Sequence, residues 1–414
     1  MKKIIVINDY GFNSGGASVV AIQTAIGLKK LGFDVTFLCA CAPIDKKLIE
    51  SGLETVCLEQ PNLRKNKSKI KAIFQGLWNR KASCALNKLL SSNQEKTVIT
   101  LVHSYSKALS PSIFYVLKKR KIKTVLTLHD YFAACPNGGF LNYQTKRNCN
   151  LTPLSFKCIA CNCDIDNYAF KLYRCLRQIV LRFCFSKSNT FYAYNVSENS
   201  QALMKPFIGN VFRTFGVLHN PIKLENIEFV DVSHNEKYIY IGRLSEEKGI
   251  QYFCKVIAEL NLKGIVLGDG ALKDSLKKQY PNIEFYGWVE GKDKQQYIKQ
   301  AKCLIFPSCV RETFGLAVPE MLSQGIPCIV PTQCGATYLI KDGFNGYVFE
   351  MGNYASLKQA VLKMEKDEIG ILSKNIKDSF DRKTFSLDIY LAKLVAIINS
   401  ILSQMVVRHS IISN

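Results

Sequence analysis

The chain has 414 residues, 48% hydrophobic and 21% charged, the balance of a globular protein long enough for two domains, with no internal repeat or low-complexity tract. Its formal charge of +22 is lopsided: residues 1–220 carry 31 Lys+Arg against 11 Asp+Glu, and residues 221–414 carry 24 against 22. A basic half of this size points to an anionic partner, and the absence of any recognisable nucleic-acid module turns the reading away from DNA and RNA.

The first predicted element is a buried parallel strand at residues 4–7, within Met1-Lys2-Lys3-Ile4-Ile5-Val6-Ile7-Asn8-Asp9. The apolar run is too short for a secretory leader and no cleavage site follows, so a cytoplasmic chain is expected. Asn13-Ser14-Gly15-Gly16-Ala17-Ser18 leads into a helix over 19–31. Gly15 and Gly16 let the backbone approach a phosphate or sugar, although a Gly-Gly pair also serves as a plain turn. Strands follow at 34–39, 97–101, 124–128, 190–193 and 213–218, with His103 beyond the third of the full series and His129-Asp130 at the tip of the fourth.

Two stretches concentrate the positive charge. Residues 64–81 hold Arg64, Lys65, Lys67, Lys69, Lys71, Arg80 and Lys81 around Ile70, Ile73, Phe74, Leu77 and Trp78. Residues 168–187 hold Lys171, Arg174, Arg177, Arg182 and Lys187 among apolar and aromatic residues. Cations flanking apolar groups at helical spacing suit an anionic membrane leaflet; ordinary helices with solvated Lys and Arg are the other reading. Seven of the 16 cysteines lie between 135 and 184. Cys135, Cys149, Cys158, Cys161 and Cys163 offer thiolates for a structural zinc, but their spacing is not a clean pair of Cys-x2-Cys units, and free or half-buried thiols are the alternative.

In the second half, strands at 237–241, 264–267, 283–286, 303–306 and 326–330 alternate with helices at 250–260, 271–279, 294–301 and 356–363. This is the pattern of two doubly wound α/β domains, with ligand at the carboxyl ends of the strands. The apolar stretch 391–412 is interrupted by Lys393, Asn399, Gln404 and Arg408, and reads as a packed helix rather than a membrane span.

The chemistry concentrates in three loops of this half. Gly242-Arg243-Leu244-Ser245-Glu246-Glu247-Lys248-Gly249 follows a strand and puts two cations on one βα loop, where they suit a diphosphate, or pair with Glu246 and Glu247 on a solvated turn. Gly268-Asp269-Gly270 follows the next strand. Pro307-Ser308-Cys309-Val310-Arg311-Glu312-Thr313-Phe314-Gly315-Leu316-Ala317-Val318-Pro319-Glu320 sets two carboxylates eight residues apart, which on a continuous helix would lie about 80° apart. Gly315 and Pro319 instead predict a loop carrying Glu312 that runs into a helix with Glu320 just inside, a helix start suited to phosphate. A nucleotide-sugar is the ligand this combination suggests.

In this order and at these intervals, the motifs resemble the retaining glycosyltransferases of family 4, which have the GT-B fold; His219-Asn220-Pro221-Ile222 is similar to the family's interdomain linker. The resemblance implies two Rossmann-like domains facing a cleft: residues 1–220 binding acceptor, with a Cys-rich insertion at 135–166 capping the cleft, and residues 221–385 binding donor. Helices in 386–414 would cross back onto the first domain. It implies transfer of a hexose-type sugar from a nucleotide-diphosphate sugar to a hydroxyl of a glycan or lipid-linked saccharide, in surface polysaccharide biosynthesis, with no cofactor or metal required. Arg243 and Lys248 would bind the diphosphate, Glu312 a donor-sugar hydroxyl and Glu320 the ribose. Gly15, Gly16, Gly242, Gly268, Gly270, Phe314, Gly315 and Leu316 would complete the donor site. His129 would contact the donor sugar or transition state, with Asp130 and His103 on the acceptor side. The protein is expected at the inner face of the plasma membrane, held peripherally by its basic domain. A GT-B sugar-nucleotide epimerase and a non-catalytic nucleotide-sugar binder are the competing classes.

Overall fold

The computed structural model describes residues 2–93, 96–186, 188–224 and 228–412, the side chains of 404–412 excepted; Lys187 lies outside the described residues. The chain forms two units. The first comprises Met1–Gly139, Asn150–Pro221 and Leu387–Asn414, and the second Phe140–Cys149 and Ile222–Ser386.

In chain order the strands are β1 (Lys2–Tyr10), β2 (Asp34–Cys41), β3 (Glu54–Cys57), β4 (Thr97–Val102), β5 (Lys123–Leu128), the short pair β6 (Leu141–Asn142) and β7 (Arg147–Asn148), β8 (Phe191–Asn195), β9 (Phe215–Val217), β10 (Lys237–Ile241), β11 (Lys263–Leu267), β12 (Ile283–Gly287), β13 (Ala301–Ile305), β14 (Cys328–Pro331) and β15 (Gly346–Phe349). The helices used below are α1 (Gly16–Lys30), α2 (Lys69–Leu77), α3 (Ser112–Lys119), α4 (Tyr168–Phe185), α5 (Gly291–Ile298), α6 (Ala317–Leu322) and α7 (Leu387–Ile412).

The sheet of the first unit has the order β3-β2-β1-β4-β5-β8-β9, all parallel. Its centre is apolar on both faces because helices cover both sides: Ile4, Ile5, Val6 and Ile7 are fully buried, with Ile4 opposite Val35 and Ile5 opposite Thr100. Helix α7 packs on α1 in this unit. Leu391 lies over Gly27, where an added methyl would meet the leucine at 2.4 Å, and Tyr390 shares a 3.2 Å hydrogen bond with Thr24. Among the described residues no helix is long and apolar enough to cross a membrane.

The second unit has the order β12-β11-β10-β13-β14-β15, also parallel, with Ile239 on β10 opposite both Ile265 and Leu304. In each sheet the strand order reverses once, between β1 and β4 and between β10 and β13, and such a reversal opens a crevice at the strand carboxyl ends. The antiparallel β6–β7 pair leaves the first unit's chain but packs with the second: Lys146 pairs with Glu246 at 2.7 Å, Asn148 reaches Gln333 at 3.2 Å, and Arg311 donates to the Cys149 carbonyl at 3.4 Å. The predicted insertion therefore divides, residues 140–149 packing with the second unit and the rest with the first.

Candidate active site

In the second unit the three sequence motifs converge on the reversal between β10 and β13. The loop after β10 contains Gly242, Arg243 and a 3-10 turn over Glu246–Lys248; the loop after β13 contains Ser308, Glu312, Phe314, Gly315 and Leu316. Lys248 Nζ forms an ion pair with Glu312 Oε1, and Ser308 Oγ donates to the same oxygen at 2.8 Å. Both charged side chains are largely covered, at 26% and 15% exposure, so the pair is screened less than one on open surface. Lys248 pairs with Glu312 rather than with its loop neighbours Glu246 and Glu247, and Glu246 takes Lys146.

Close backbone packing explains the glycines. Gly249 has φ +70°, and an added Cβ would lie 1.9 Å from the Pro307 carbonyl oxygen; the amide of Cys309 also donates to the Glu247 carbonyl at 3.0 Å. A Cβ at Gly268 would lie 1.8 Å from the Gly242 oxygen, and one at Gly270 2.4 Å from the Leu244 oxygen. The loops after β10, β11 and β13 thus touch through main chain, which only glycine permits at these contacts. Gly315, at φ +88°, turns the chain into α6, and Pro319 sits within that helix's first turns as expected. Glu320 follows it, and both its carboxylate oxygens accept from Lys294 Nζ on α5, at 2.5 and 2.6 Å. Sequence reasoning missed Lys294: the contact spans 26 residues between two helices, and no local motif marks it.

The first unit has its own polar cluster at the β1–β4 reversal. Gly15 has φ +139° and its amide donates to Asn13 Oδ1 at 3.2 Å; the loop is tied down by Ser14 to Ser18 at 2.8 Å and by Asn8 Nδ2 to Ser18 Oγ at 3.2 Å. Gly16 opens α1. His103 Nδ1 and His129 Nε2 are 2.9 Å apart, so one ring donates to the other. Burial holds both rings neutral: His103 is pushed well below the ordinary histidine range, helped by His129, and His129 falls to about 3. Burial likewise raises the Asp130 carboxyl, against the pull of Lys107. Asp9, also raised by burial, accepts from the amides of Lys107, Ala108 and Leu109, each at 2.9 Å.

The zinc reading is not supported by the structure: among the described residues no group of three or more His, Cys, Asp or Glu stands ready to hold a metal. Other polar groups lie among the thiols. Cys135 Sγ donates to Asn137 Oδ1 at 3.1 Å, Asn137 Nδ2 lies 3.4 Å from Cys163 Sγ, and the buried Lys171 ammonium lies 3.4 Å from Cys158 Sγ. Burial works against the Lys171 charge, but the thiols of Cys163, Cys158 and Cys175 outweigh it and keep its pKa above the ordinary lysine value. Cys149 belongs to the second unit, and Cys161 is half-buried.

Comparison with solved structures gives an Anabaena protein, HepE, in complex with UDP and glucose, with a TM-score of 0.68 at 14% identity over 96% of this chain and 99% of that one. The fold is GT-B. Residues 225–380 match the family model of glycosyl transferases group 1. Among curated relatives, an Escherichia coli UDP-Gal:alpha-D-GlcNAc-diphosphoundecaprenol alpha-1,3-galactosyltransferase is 30% identical over 156 residues, 34% of this chain and 40% of the relative. A Campylobacter jejuni N-acetylgalactosamine-N,N'-diacetylbacillosaminyl-diphospho-undecaprenol 4-alpha-N-acetylgalactosaminyltransferase is 31% identical over 166 residues, 37% of this chain and 44% of the relative. The aligned region thus spans less than half the length of either enzyme.

Proposed function

We propose that this GT-B protein is a retaining, metal-independent glycosyltransferase that moves a hexose-type sugar from a nucleotide-diphosphate sugar to a hydroxyl of a glycan or lipid-linked saccharide in surface polysaccharide biosynthesis. The observation that carries the reading is the Lys248–Glu312 pair, set among glycine-crossed loops at the β10–β13 reversal. The family match over the same region and the lipid-diphosphate acceptors named for two relatives support it.

Arg243 and Lys248 bind the diphosphate and stabilise the charge that grows on it as the glycosidic bond breaks, a task for fixed cations where no divalent ion is required. Amides of the turn from Phe314 to Leu316 add to that site, with Gly242, Gly268 and Gly270 admitting the ligand close to main chain. Glu320 holds the ribose hydroxyls, and Glu312 a sugar hydroxyl and the positive charge at the anomeric carbon. Of the first unit's residues, we assign Gly15 and Gly16 to donor binding, neutral His129 to the transferred sugar, and Asp130 and His103 to the acceptor. The acceptor oxygen bonds to the anomeric carbon on the face the diphosphate leaves, and its proton passes to the leaving phosphate oxygen, so configuration is kept. The enzyme works from the cytoplasm as a peripheral membrane protein.

The test is transfer of radiolabelled sugar from UDP-, GDP- and ADP-sugars to membrane extract, with the anomeric configuration of the product read by NMR. Product dependent on both substrates supports the reading. Donor binding without acceptor-dependent product overturns it in favour of a non-catalytic binder, and interconversion of the free sugar nucleotide in favour of an epimerase.

A further inference from the structure

Helix α4 carries Lys171, Arg174, Arg177 and Arg182 among its apolar residues, and only part of its apolar surface is covered. At about 100° per residue, Tyr168, Leu172, Leu176, Ile179 and Phe183 fall within an arc of about 80°. All five are exposed, Phe183 by 59%, while Leu181, Cys184 and Phe185 on the other side are buried. Helix α2 lies beside it: Tyr173 donates to the Ile73 carbonyl at 3.0 Å, and Arg177 Nε to the Gly76 carbonyl at 3.0 Å. Gly76 permits the approach, since a Cβ there would meet the Tyr173 hydroxyl at 2.1 Å. Helix α2 has a stripe of its own, Ile70, Ile73 and Phe74, with Phe74 68% exposed. A soluble protein rarely leaves two adjacent helices with apolar stripes of this length uncovered.

The charge around them is of one sign. Residues 60–93 contain eight Lys or Arg and no Asp or Glu, and residues 167–186 contain four and none. Lys65, Lys67, Lys69, Lys71 and Arg80 are exposed, and among the described residues none of them pairs with a carboxylate; Arg64 meets Asp166 at 3.6 Å. Lys118 on α3 lies 5.2 Å above the Phe183 ring. Protein interfaces are depleted of lysine, whereas a membrane surface takes apolar side chains into its acyl boundary and lysines against its anionic headgroups.

We propose that the paired faces of α2 and α4 dock the first unit on an anionic lipid bilayer, Phe74, Ile179 and Phe183 entering the interface and Lys65 to Lys71 lying along the headgroups. The proposal deepens the peripheral, lipid-linked acceptor reading above by naming the surface that makes the contact, and it rests on that reading for its purpose but not for its geometry.

The test is flotation of the full chain with vesicles of phosphatidylcholine alone and of phosphatidylcholine mixed with phosphatidylglycerol. The chain is expected to float with the mixed vesicles at low salt, to leave them as salt is raised, and to stay behind with phosphatidylcholine alone. Lys69→Gln and Lys71→Gln should each weaken partition about fivefold. The combination Phe74→Ser, Ile179→Ser and Phe183→Ser should abolish it, with melting temperature and nucleotide-diphosphate affinity unchanged. Equal binding to both vesicle types, no binding to either, or a variant that alters self-association while leaving flotation intact overturns the proposal. Because nucleotide affinity is read separately, failure to float leaves the donor-site reading standing.

Discussion

Replacing Lys248 by alanine is the sharpest probe of the donor site. The substitution removes one of the two cations proposed for the diphosphate and leaves Glu312, 15% exposed, with Ser308 Oγ at 2.8 Å as its remaining hydrogen-bond donor. Two costs follow, on different observables. Leaving a mostly covered carboxylate short of a partner costs stability, about 1–3 kcal/mol. Losing a fixed charge aimed at the leaving group costs about 10²- to 10³-fold in kcat, or about 3–4 kcal/mol of transition-state stabilisation. The catalytic loss should therefore exceed what the fall in Tm explains.

Sugar transfer at saturating donor, nucleotide-diphosphate binding by calorimetry and thermal unfolding separate these effects. Lys248→Ala, Glu312→Gln neutralises the orphaned carboxylate and should recover stability while leaving kcat low. Lys248→Arg keeps the charge but brings a planar fork where Ser308 and Glu312 surround a compact ammonium, and should retain only part of the rate. Unchanged kcat in Lys248→Ala, or recovery of rate together with stability in the double variant, would refute the role given to this lysine.

Other consequences follow from single contacts. Gly249→Ala forces a left-handed φ on alanine and drives its methyl into the Pro307 carbonyl, so it should lose more than about 2 kcal/mol by denaturant titration and most donor affinity; Gly15→Ala, with φ +139° but no atom within 4 Å, should lose only about 1 kcal/mol. Lys294→Met strands the Glu320 carboxylate and should destabilise by about 1–3 kcal/mol, and adding Glu320→Met should restore part of that loss, since an apolar pair no longer buries an unmatched charge. His129, held near 3 when folded against about 6.5 unfolded, lets the unfolded chain bind the extra proton between those values, so stability falls as pH drops from 6.5 towards 3, by roughly 2 kcal/mol at pH 5. The raised Asp9 and Asp130 act in the opposite sense, so the measurable is the difference between the pH profiles of wild type and His129→Asn, the variant having the flatter acid side.

The parallel strands at the centre of each sheet were legible because burial on both faces writes them as unbroken apolar runs, as in 4–7 and 264–267. Two of the four edge strands, β3 and β15, were not. Glu54–Cys57 is half-exposed and polar at its first position, and Gly346–Phe349 begins on glycine, so neither carries that signal. The candidate donor loops were readable as spacing, since Gly242, Gly268 and Gly270 lie at close contacts between neighbouring loops, and a residue type forced by backbone geometry leaves a mark in sequence. Partners joined only in space leave none: Lys294 with Glu320, Lys146 with Glu246, and His103 with His129 each depend on elements whose proximity only the folded sheet order sets. The cysteine spacing was no guide either: in the fold the Asn137 amide and the Lys171 ammonium lie among the thiols, a grouping no local motif marks.

The same distinction explains why the two halves use positive charge differently. With 24 cations against 22 anions, residues 221–414 can neutralise themselves, and the candidate donor lysines do so locally: Lys248 is shared with Glu312 and Lys294 with Glu320. A diphosphate drawn to Lys248 competes with a carboxylate already in place, so its affinity should owe less to long-range attraction than to the cradle of main chain around it, and should depend weakly on salt. Residues 1–220, with 31 against 11, have no internal anions to meet the surplus, and the lysines beside α2 face outward instead. Salt should therefore separate the two activities of one chain: vesicle binding should collapse over a range of ionic strength in which nucleotide binding barely changes. Parallel loss of both would mean that the donor site, too, works by bulk charge, and would count against the ion-paired geometry as its basis.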